Sequence, residues 1–442
     1  MASSKNYIKN SPAIIKKLYY WLVPFHKRYG STYSQTLNLL EEASTWSYKK
    51  AKQYQLEKLR NILIYSSNNV PYYSKLFKKI GFNPYIKELS DIKKIPLLTK
   101  DIIINNIDDF ISTSFVGKKY KMNTSGTTGK RLSFYGGDDL FKIEAAFIQN
   151  AYMSHGTELY NKPSIWIRRY SPKKGDPIFY KDHELNRSYM SPFHLNDETI
   201  YDYVNYINKT KVDTLVSYPS TIYYLSLLML KYNLRLPHVK YLYGASEVCL
   251  PQWNSVVYDA FNTHIRMHYG QGEKVAFFHQ DNEDDLYREN LLYGLTEYVD
   301  STIVGTGFYN MVTPFIRYKT EDNVELVDNP KLDGAFPKTI KNINGRNGDM
   351  LVTDKDSLVP AVNFYSFMSK YNEVDLFQLV QKKATKEVKF YIIKNKKYTN
   401  ETKTNLLSEL KYRLGDVGIK IIETESIPRD KNSSKLKTIK LI

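Results

Sequence analysis

The ten residues Met122-Asn123-Thr124-Ser125-Gly126-Thr127-Thr128-Gly129-Lys130-Arg131 decide how the rest of this chain is read. Two glycines allow turns that bring backbone N–H groups close to a bound anion. The hydroxyls of Thr124, Ser125, Thr127 and Thr128 add neutral donors, and Lys130 and Arg131 add positive charge. The run reads as a phosphate cradle, and spacing says which kind. A Walker loop has four residues between its glycines and opens a helix with Gly-Lys-Ser/Thr. Here only Thr127 and Thr128 separate Gly126 from Gly129. Tyr120 and Met122 before the run alternate as a short strand does, and so do Leu132, Phe134 and Gly136-Gly137 after it. A strand–loop–strand cradle is not a P-loop NTPase, although a plain hairpin turn uses the same residue types.

Composition sets the frame around that loop. A chain of 442 residues, 42% hydrophobic and 25% charged, is long enough for two or three domains with a large core. No apolar run approaches the ~20 residues of a membrane span. The start, Met-Ala-Ser-Ser-Lys, has no apolar core followed by a small-residue cleavage site, so the expected compartment is the cytoplasm. One cysteine, Cys249, excludes an internal disulfide and a cysteine zinc cluster. The eight histidines show no metal spacing, and His264 and His268 read as packing residues. The formal charge of +17 comes from scattered lysines rather than aromatic-interleaved patches, which argues against a nucleic-acid partner. Anionic small molecules or an acidic membrane surface account for it as well. Lys16, Lys17, Lys27 and Arg28 flank Leu18 to Phe25, so residues 5–29 read first as an amphipathic helix packed on the body. Peripheral attachment to a membrane is the second reading.

Residues 1–117 form a helical N-terminal region, with clear periodicity from Trp46 to Ser66, a break at Asn69-Val70-Pro71-Tyr72-Tyr73 and a helix start at Thr99. From Asn196 to Gly272 strands at Val212–Ser217, Val239–Tyr243 and Ile265–Tyr269 alternate with helices, which indicates a parallel sheet. Ligands bind such sheets outside the carboxyl ends of the strands. Those ends are Ser217-Tyr218-Pro219-Ser220, Tyr243-Gly244-Ala245-Ser246-Glu247 and Tyr269-Gly270-Gln271-Gly272-Glu273. They point to one shared pocket, with Tyr218 and Tyr243 among its candidate walls. Arg168 and Arg169 end an apolar stretch and read as surface arginines before substrate holders. Gly345-Arg346-Asn347-Gly348-Asp349 is a glycine-rich joint. Past it, strands at Leu376–Gln381, Val388–Ile393 and Ile419–Glu425 and a helix at Thr402–Leu414 make a small α+β unit. The fold class is therefore α/β, a large N-terminal domain of mixed and parallel sheets flanked by helices, plus a small mobile α+β C-terminal domain. Its divisions are 1–117, a nucleotide-binding core at 118–344, a hinge at 345–349 and the small domain at 350–442.

Thr124-Ser125-Gly126-Thr127-Thr128-Gly129 resembles the phosphate loop of the adenylate-forming enzymes: acyl-CoA synthetases, luciferases and peptide-synthetase adenylation domains. Within them the chain is most similar to phenylacetate–CoA ligase and its relatives found with capsule and other surface-polysaccharide genes. The resemblance runs from about Val70 to the C-terminus and includes the phrases at Val70-Pro71-Tyr72-Tyr73 and Ile95-Pro96-Leu97-Leu98-Thr99-Lys100.

The resemblance implies an ATP-dependent, AMP-forming ligase. A small carboxylic acid would attack the α-phosphorus of ATP, and both reactants are anions that the site must hold close and neutralise. It implies that residues 124–129 and Lys130 bind phosphate, with Thr127 acting in catalysis. Tyr269 packs on adenine beside Gly270, and Glu273 binds Mg²⁺, which takes one carboxylate plus substrate phosphates. Gly244, Ala245, Ser246 and Glu247 wall the adenine pocket. Asp322, closing Arg317-Tyr318-Lys319-Thr320-Glu321-Asp322, grips the ribose diol, with Glu321 where the family has Gly. Gly345-Arg346 matches the hinge motif, with Gly348 in place of its pivot Asp. Lys435, following Ser434 where the family has Gly, bridges carboxylate and α-phosphate, while Lys431, Lys437 and Lys440 are rivals in register. Thr353-Asp354-Lys355-Asp356-Ser357 lacks a glycine common in CoA ligases. The acceptor is therefore an amine or hydroxyl of a sugar or amino acid, with CoA the alternative. A catalytically reduced AMP-binding scaffold in a polysaccharide assembly complex is the rival reading.

Overall fold

The computed structural model describes the chain apart from residues 1–10, 24, 124–131, 169, 171, 173–175, 252, 282, 347–349, 357, 361–363, 365, 366, 369 and 429–435. Strands are numbered in chain order. β1 (Tyr120–Asn123) and β2 (Ser133–Gly136) form an antiparallel hairpin. The central strands are β3 (Ser164–Ile167), β4 (Phe179–Asp182), β5 (Arg187–Met190), β6 (Thr214–Ser217), β7 (Tyr241–Ala245) and β8 (Ile265–Gly270). They continue with β9 (Phe277–Gln280), β10 (Tyr287–Glu289), β11 (Gly294–Val299), β12 (Thr302–Gly307), β13 (Tyr318–Leu326) and β14 (Lys338–Arg346). These build one twelve-stranded sheet, order β4-β5-β3-β6-β7-β8-β9-β10-β14-β13-β12-β11.

The sheet changes character at β8. From β5 to β8 neighbouring strands are parallel, and from β8 to β11 every pair is antiparallel. The parallel half is buried on both faces, so β6 and β7 are buried without alternation. Leu215 and Leu242 face the helices Ile200–Thr210, Pro219–Lys231 and Trp253–Phe261. Val216 and Tyr243 face helix Asp138–Met153. Pro219 sits in the first turn of its helix, where its missing N–H costs nothing. The antiparallel half was not read from the sequence.

The N-terminal helices behave as expected. Ser47 caps Tyr48–Asn69 and Thr99 caps Lys100–Asn105. Val70 ends one helix and begins the next, with Pro71 in that helix's first turn. The Ile95–Lys100 phrase is a clasp. Leu98 exchanges backbone bonds of 2.9 Å with Arg317 and Lys319. Arg317 forks onto Glu297 at 2.9 Å through both Nε and Nη2, and its Nη1 donates to the carbonyls of Lys93 and Ile95.

The C-terminal unit is a four-stranded sheet of β17 (Val374–Gln381), β18 (Val388–Lys394), β19 (Ile419–Glu423) and β20 (Ile439–Leu441), after a two-stranded piece of β15 (Met350–Val352) and β16 (Leu358–Pro360). Helix Asn400–Leu414 covers it with Leu406, Leu410 and Leu414, and Thr399 closes a capping box with Thr402. Asp354 accepts the N–H of Asp416 at 3.0 Å just past that helix, so the segment lacking the glycine is a structural tie. The expected α/β class with a separate small α+β unit is what the structure shows. Among the described residues no helix is long and apolar enough to cross a membrane.

Two predictions follow from this packing. Arg317 and Glu297 are only 10% and 11% exposed, so Arg317→Ala strands a buried carboxylate. The substitution lowers stability by about 3–5 kcal/mol in denaturant titration. Burial also holds His155 down to about 4 and His279 down to about 3, helped at His279 by the charge of its neighbour His155. The Nε2–H of His155 donates to the carbonyl of Gln280 at 2.6 Å, a bond that favours the charged ring but is outweighed by burial. Both folded values lie below the unfolded one, so this stabilisation is complete above the ordinary histidine range. It is lost as pH falls from about 6.5 towards 4. His155→Gln flattens the pH dependence of the denaturation midpoint across that window.

Candidate nucleotide site

Pairing aligns the carboxyl ends of three parallel strands. Ser217 lies opposite Gly244, Gly244 opposite Met267 and Ala245 opposite His268. Gly244 is required there: a Cβ would stand 2.5 Å from Met267 Sδ and 2.9 Å from Ile265 Cγ2. Ser246 follows with a left-handed φ of 71° and accepts from Arg168 Nη2 at 3.4 Å.

The loop after β8 holds the expected metal ligand. Glu273 is 4% exposed, and its Oε1 accepts from Tyr318 Oη at 3.0 Å. Its Oε2 is buried and has no hydrogen-bond partner among the described residues, and neither polar atom of the Gln271 amide has one. Buried polar atoms are rarely left so, and a bound water, ion or ligand is one way to satisfy them. At the end of β8, four residues before Glu273, Tyr269 Oη donates to Asp322 Oδ2 at 2.6 Å, so two residues that are 53 positions apart meet. Arg346 stands opposite Asp322 in the β13–β14 pairing.

Backbone strain clusters around these groups. Ser246, Lys274, Arg317 and Glu321 all have left-handed φ, between 54° and 71°. Non-glycine residues there are uncommon and concentrate at functional sites. Glu321, at φ 67°, sits where the β12–β13 register shifts. The family's glycine suits that conformation. Glutamate occupies it here without displacing Asp322, whose N–H reaches Thr320 Oγ1 at 3.2 Å.

Glu247 has an unexpected partner. Its Oε1 accepts the N–H of Leu436 at 2.8 Å, and its Oε2 lies 3.4 Å from the N–H of Ser220. The C-terminal segment is thereby seated at the end of β7. Gln378 Nε2 holds it from the other side, donating to the carbonyl of Lys437 at 2.6 Å.

Several sequence-selected residues lie outside the described residues: Thr124, Ser125, Gly126, Thr127, Thr128, Gly129, Lys130, Arg131, Arg169, Gly348, Lys431, Ser434 and Lys435. The flanks of the 124–131 run are placed. Asn123 pairs with Ser133 in the hairpin. Leu132 and Phe134 join the cluster containing Phe315 and Tyr318, with Phe134 5.2 Å from Phe315 and Phe315 5.6 Å from Tyr318. The hairpin is thus packed, ring on ring, against the tyrosine that holds Glu273.

One expectation needs correction. Arg168 is not a surface arginine: it is 5% exposed, 5.1 Å from the Tyr218 ring, and held at Ser246. Tyr218 and Tyr243 are both buried, and Tyr243 lies 3.8 Å from Tyr152 with near-parallel rings. His268, as expected, packs, bonded to Tyr152 Oη at 3.2 Å.

Residues that sequence reasoning missed form the floor of the Glu273 loop. A Cβ on Gly307 would lie 2.4 Å from the carbonyl oxygen of Lys274, and one on Gly294 2.5 Å from that of Val275. Gly305 would meet Val275 at 2.6 Å. The backbone of residues 274 and 275 lies directly on these strands because side chains are absent there. Lys274 is further paired with Glu144 of helix Asp138–Met153. Gly307→Ala pushes the loop off its floor; about 1–3 kcal/mol of stability is lost in thermal or denaturant melts, together with nucleotide affinity in calorimetry.

Residues 351–441 match the family described as the CapK C-terminal domain. Protein CapK of Staphylococcus aureus is 27% identical over 426 residues, 93% of each chain. Among solved structures, 2-hydroxyisobutyryl-CoA ligase in the postadenylation state with R3-HIB-AMP superposes with a TM-score of 0.69 at 13% identity, over 91% of each chain. The same ligase with 2-HIB-AMP and CoA in the thioesterification state gives 0.57 at 15% identity, again over 91% of each. The chain has the fold of this ligase, and a C-terminal unit that matches the CapK C-terminal domain.

Proposed function

We propose that this protein is an ATP-dependent, AMP-forming carboxylate ligase, and one arrangement carries the reading. The Tyr269–Asp322 pair and the unpartnered buried Oε2 of Glu273 come from the end of β8 and the loop after it, and Glu247, just past the end of the neighbouring β7, holds the C-terminal segment. Asp322 suits a ribose diol, since a carboxylate accepts two hydrogen bonds at once. Tyr269, half-buried next to it, offers a ring face for adenine. Glu273 presents one hard oxygen in a buried position, which fits Mg²⁺ held by one carboxylate plus substrate phosphates. Magnesium bound there would neutralise phosphate charge.

The chain's own part is then to align and shield. The 124–129 run, carried by the β1–β2 hairpin, holds the terminal phosphates, with Thr127 and Lys130 contributing donors. Lys435 immediately precedes Leu436, whose N–H is fixed on Glu247 at 2.8 Å, and its ammonium bridges the attacking carboxylate and the α-phosphate. Bringing two anions together in this way is the main work of the first half-reaction. For the second half-reaction the unit at 350–442 swings about the 345–349 joint, and a nucleophile displaces AMP. The acceptor is an amine or hydroxyl of a sugar or amino acid in surface-polysaccharide synthesis, and CoA is the alternative that the likeness to a CoA ligase supports. The left-handed Glu321, accommodated without loss of the Asp322 contact, favours an active site over a reduced scaffold.

ATP–pyrophosphate exchange with a library of carboxylic acids tests the first half-reaction, and at least one acid should support exchange. Lys435→Ala should reduce exchange by about a hundredfold or more while still consuming a preformed acyl-adenylate. Unchanged exchange in that variant removes the lysine from the mechanism.

A further inference from the structure

Helix Ala13–Leu22 faces the wrong way for a helix that packs on the protein body. Ile14, Leu18 and Leu22 recur every fourth residue and form one row. They are 79%, 56% and 60% exposed, and Ile15 beside them is 47% exposed. The expectation that this segment packs by its apolar side therefore fails. What fastens it is its far end. Val23 accepts from Arg28 Nε at 2.8 Å, and the Arg28 guanidinium sits 5.0 Å from the Tyr20 ring. Phe25 stacks on Tyr160 at 4.6 Å.

We propose that this helix is a peripheral anchor that lies in the headgroup region of an anionic lipid surface, with Ile14, Ile15, Leu18 and Leu22 immersed. The charge carried by its own segment selects that occupant; the acids nearby, Glu184 and Asp182, lie at its fastened end by Tyr20 and Arg28. Residues 1–40 contain Lys5, Lys9, Lys16, Lys17, Lys27 and Arg28 and no Asp or Glu, in a chain of net charge +17. An aliphatic row bordered by cations is the composition that binds in the plane of an acidic membrane. A second copy of the chain is disfavoured, because apposing two such helices brings together two carboxylate-free basic segments. At ten residues the helix is about 15 Å long, enough to lie on a bilayer and too short to span one.

The test is sedimentation of the full-length protein with vesicles of phosphatidylcholine alone and of phosphatidylcholine mixed with an equal part of phosphatidylglycerol. Binding to the anionic vesicles should exceed that to the neutral ones by about tenfold or more and weaken as salt is raised. A variant carrying Leu18→Asp and Leu22→Asp should melt at the wild-type temperature, since both side chains are exposed, and should stay in the supernatant. Replacing Lys16, Lys17 and Lys27 by Gln should weaken binding to anionic vesicles and leave any neutral-vesicle binding as it was. Three results overturn the proposal: a wild-type protein that ignores anionic vesicles, an aspartate variant that sediments like wild type, or light scattering that shows a dimer dissolved by the same substitutions.

Discussion

Everything at the nucleotide site depends on how closely one stretch of backbone approaches another. Residues 274 and 275 rest on a floor of Gly294, Gly305 and Gly307, at distances no Cβ would allow. That seat fixes the height of the loop after β8 and brings Glu273 under Tyr318. From there the constraint spreads in two directions. Tyr318 continues through Phe315 to Phe134 and so to the hairpin that carries the hydroxyl-rich run. β13, which starts at Tyr318, ends its register shift at Asp322 and delivers that carboxylate to Tyr269. The site is therefore assembled on the boundary between the parallel and antiparallel halves of the sheet, where β8 serves both.

That boundary also explains what could be read from the sequence. The parallel half announces itself locally: a short β-branched strand, a small or acidic end, then a helix of ten or more residues. Strands expected at Val212–Ser217, Val239–Tyr243 and Ile265–Tyr269 appear as β6, β7 and β8 with shifts of a residue or two at their ends. Capping residues Thr99 and Thr399 and the first-turn prolines at 71 and 219 carry their geometry in their own side chains. β9 to β14 have no such punctuation. Their register is set by partners far along the chain, and their glycines answer to residues 274 and 275 rather than to any turn.

The site residues divide in the same way. Motif spacing picked out Tyr269, Glu273 and Asp322 individually, but their partners lie 45 to 53 positions away and leave no periodic trace. Tyr318 was inside a quoted motif without its role being visible. Arg168 looked like a surface residue because paired arginines after an apolar strand usually are; its burial comes from Tyr218 on the neighbouring strand's exit and Ser246 beyond that. Glu321 is the instructive departure. Written as a sequence it breaks the family pattern, yet its φ of 67° shows that the backbone still takes the glycine conformation. The strain, about 1–2 kcal/mol for a non-glycine residue, is small beside the contacts that β13 makes on both edges.

Glu247 has two claims on it, and they differ in kind. The N–H of Ser220 belongs to the first turn of helix Pro219–Lys231, where a carboxylate is favoured by the helix dipole whatever the C-terminal unit does. The N–H of Leu436 belongs to the unit that the proposed mechanism requires to move. A hydrogen bond to a charged acceptor is worth about 1.5–3 kcal/mol net, and only an acceptor stranded without a partner costs more. Glu247 is only half-buried and keeps the helix N-terminus, so release of Leu436 strands neither charge nor carboxylate. The closed arrangement is thus held by a bond strong enough to register Leu436 at the end of β7. Breaking it leaves no charge stranded, so it does not by itself bar the movement that the proposed mechanism requires.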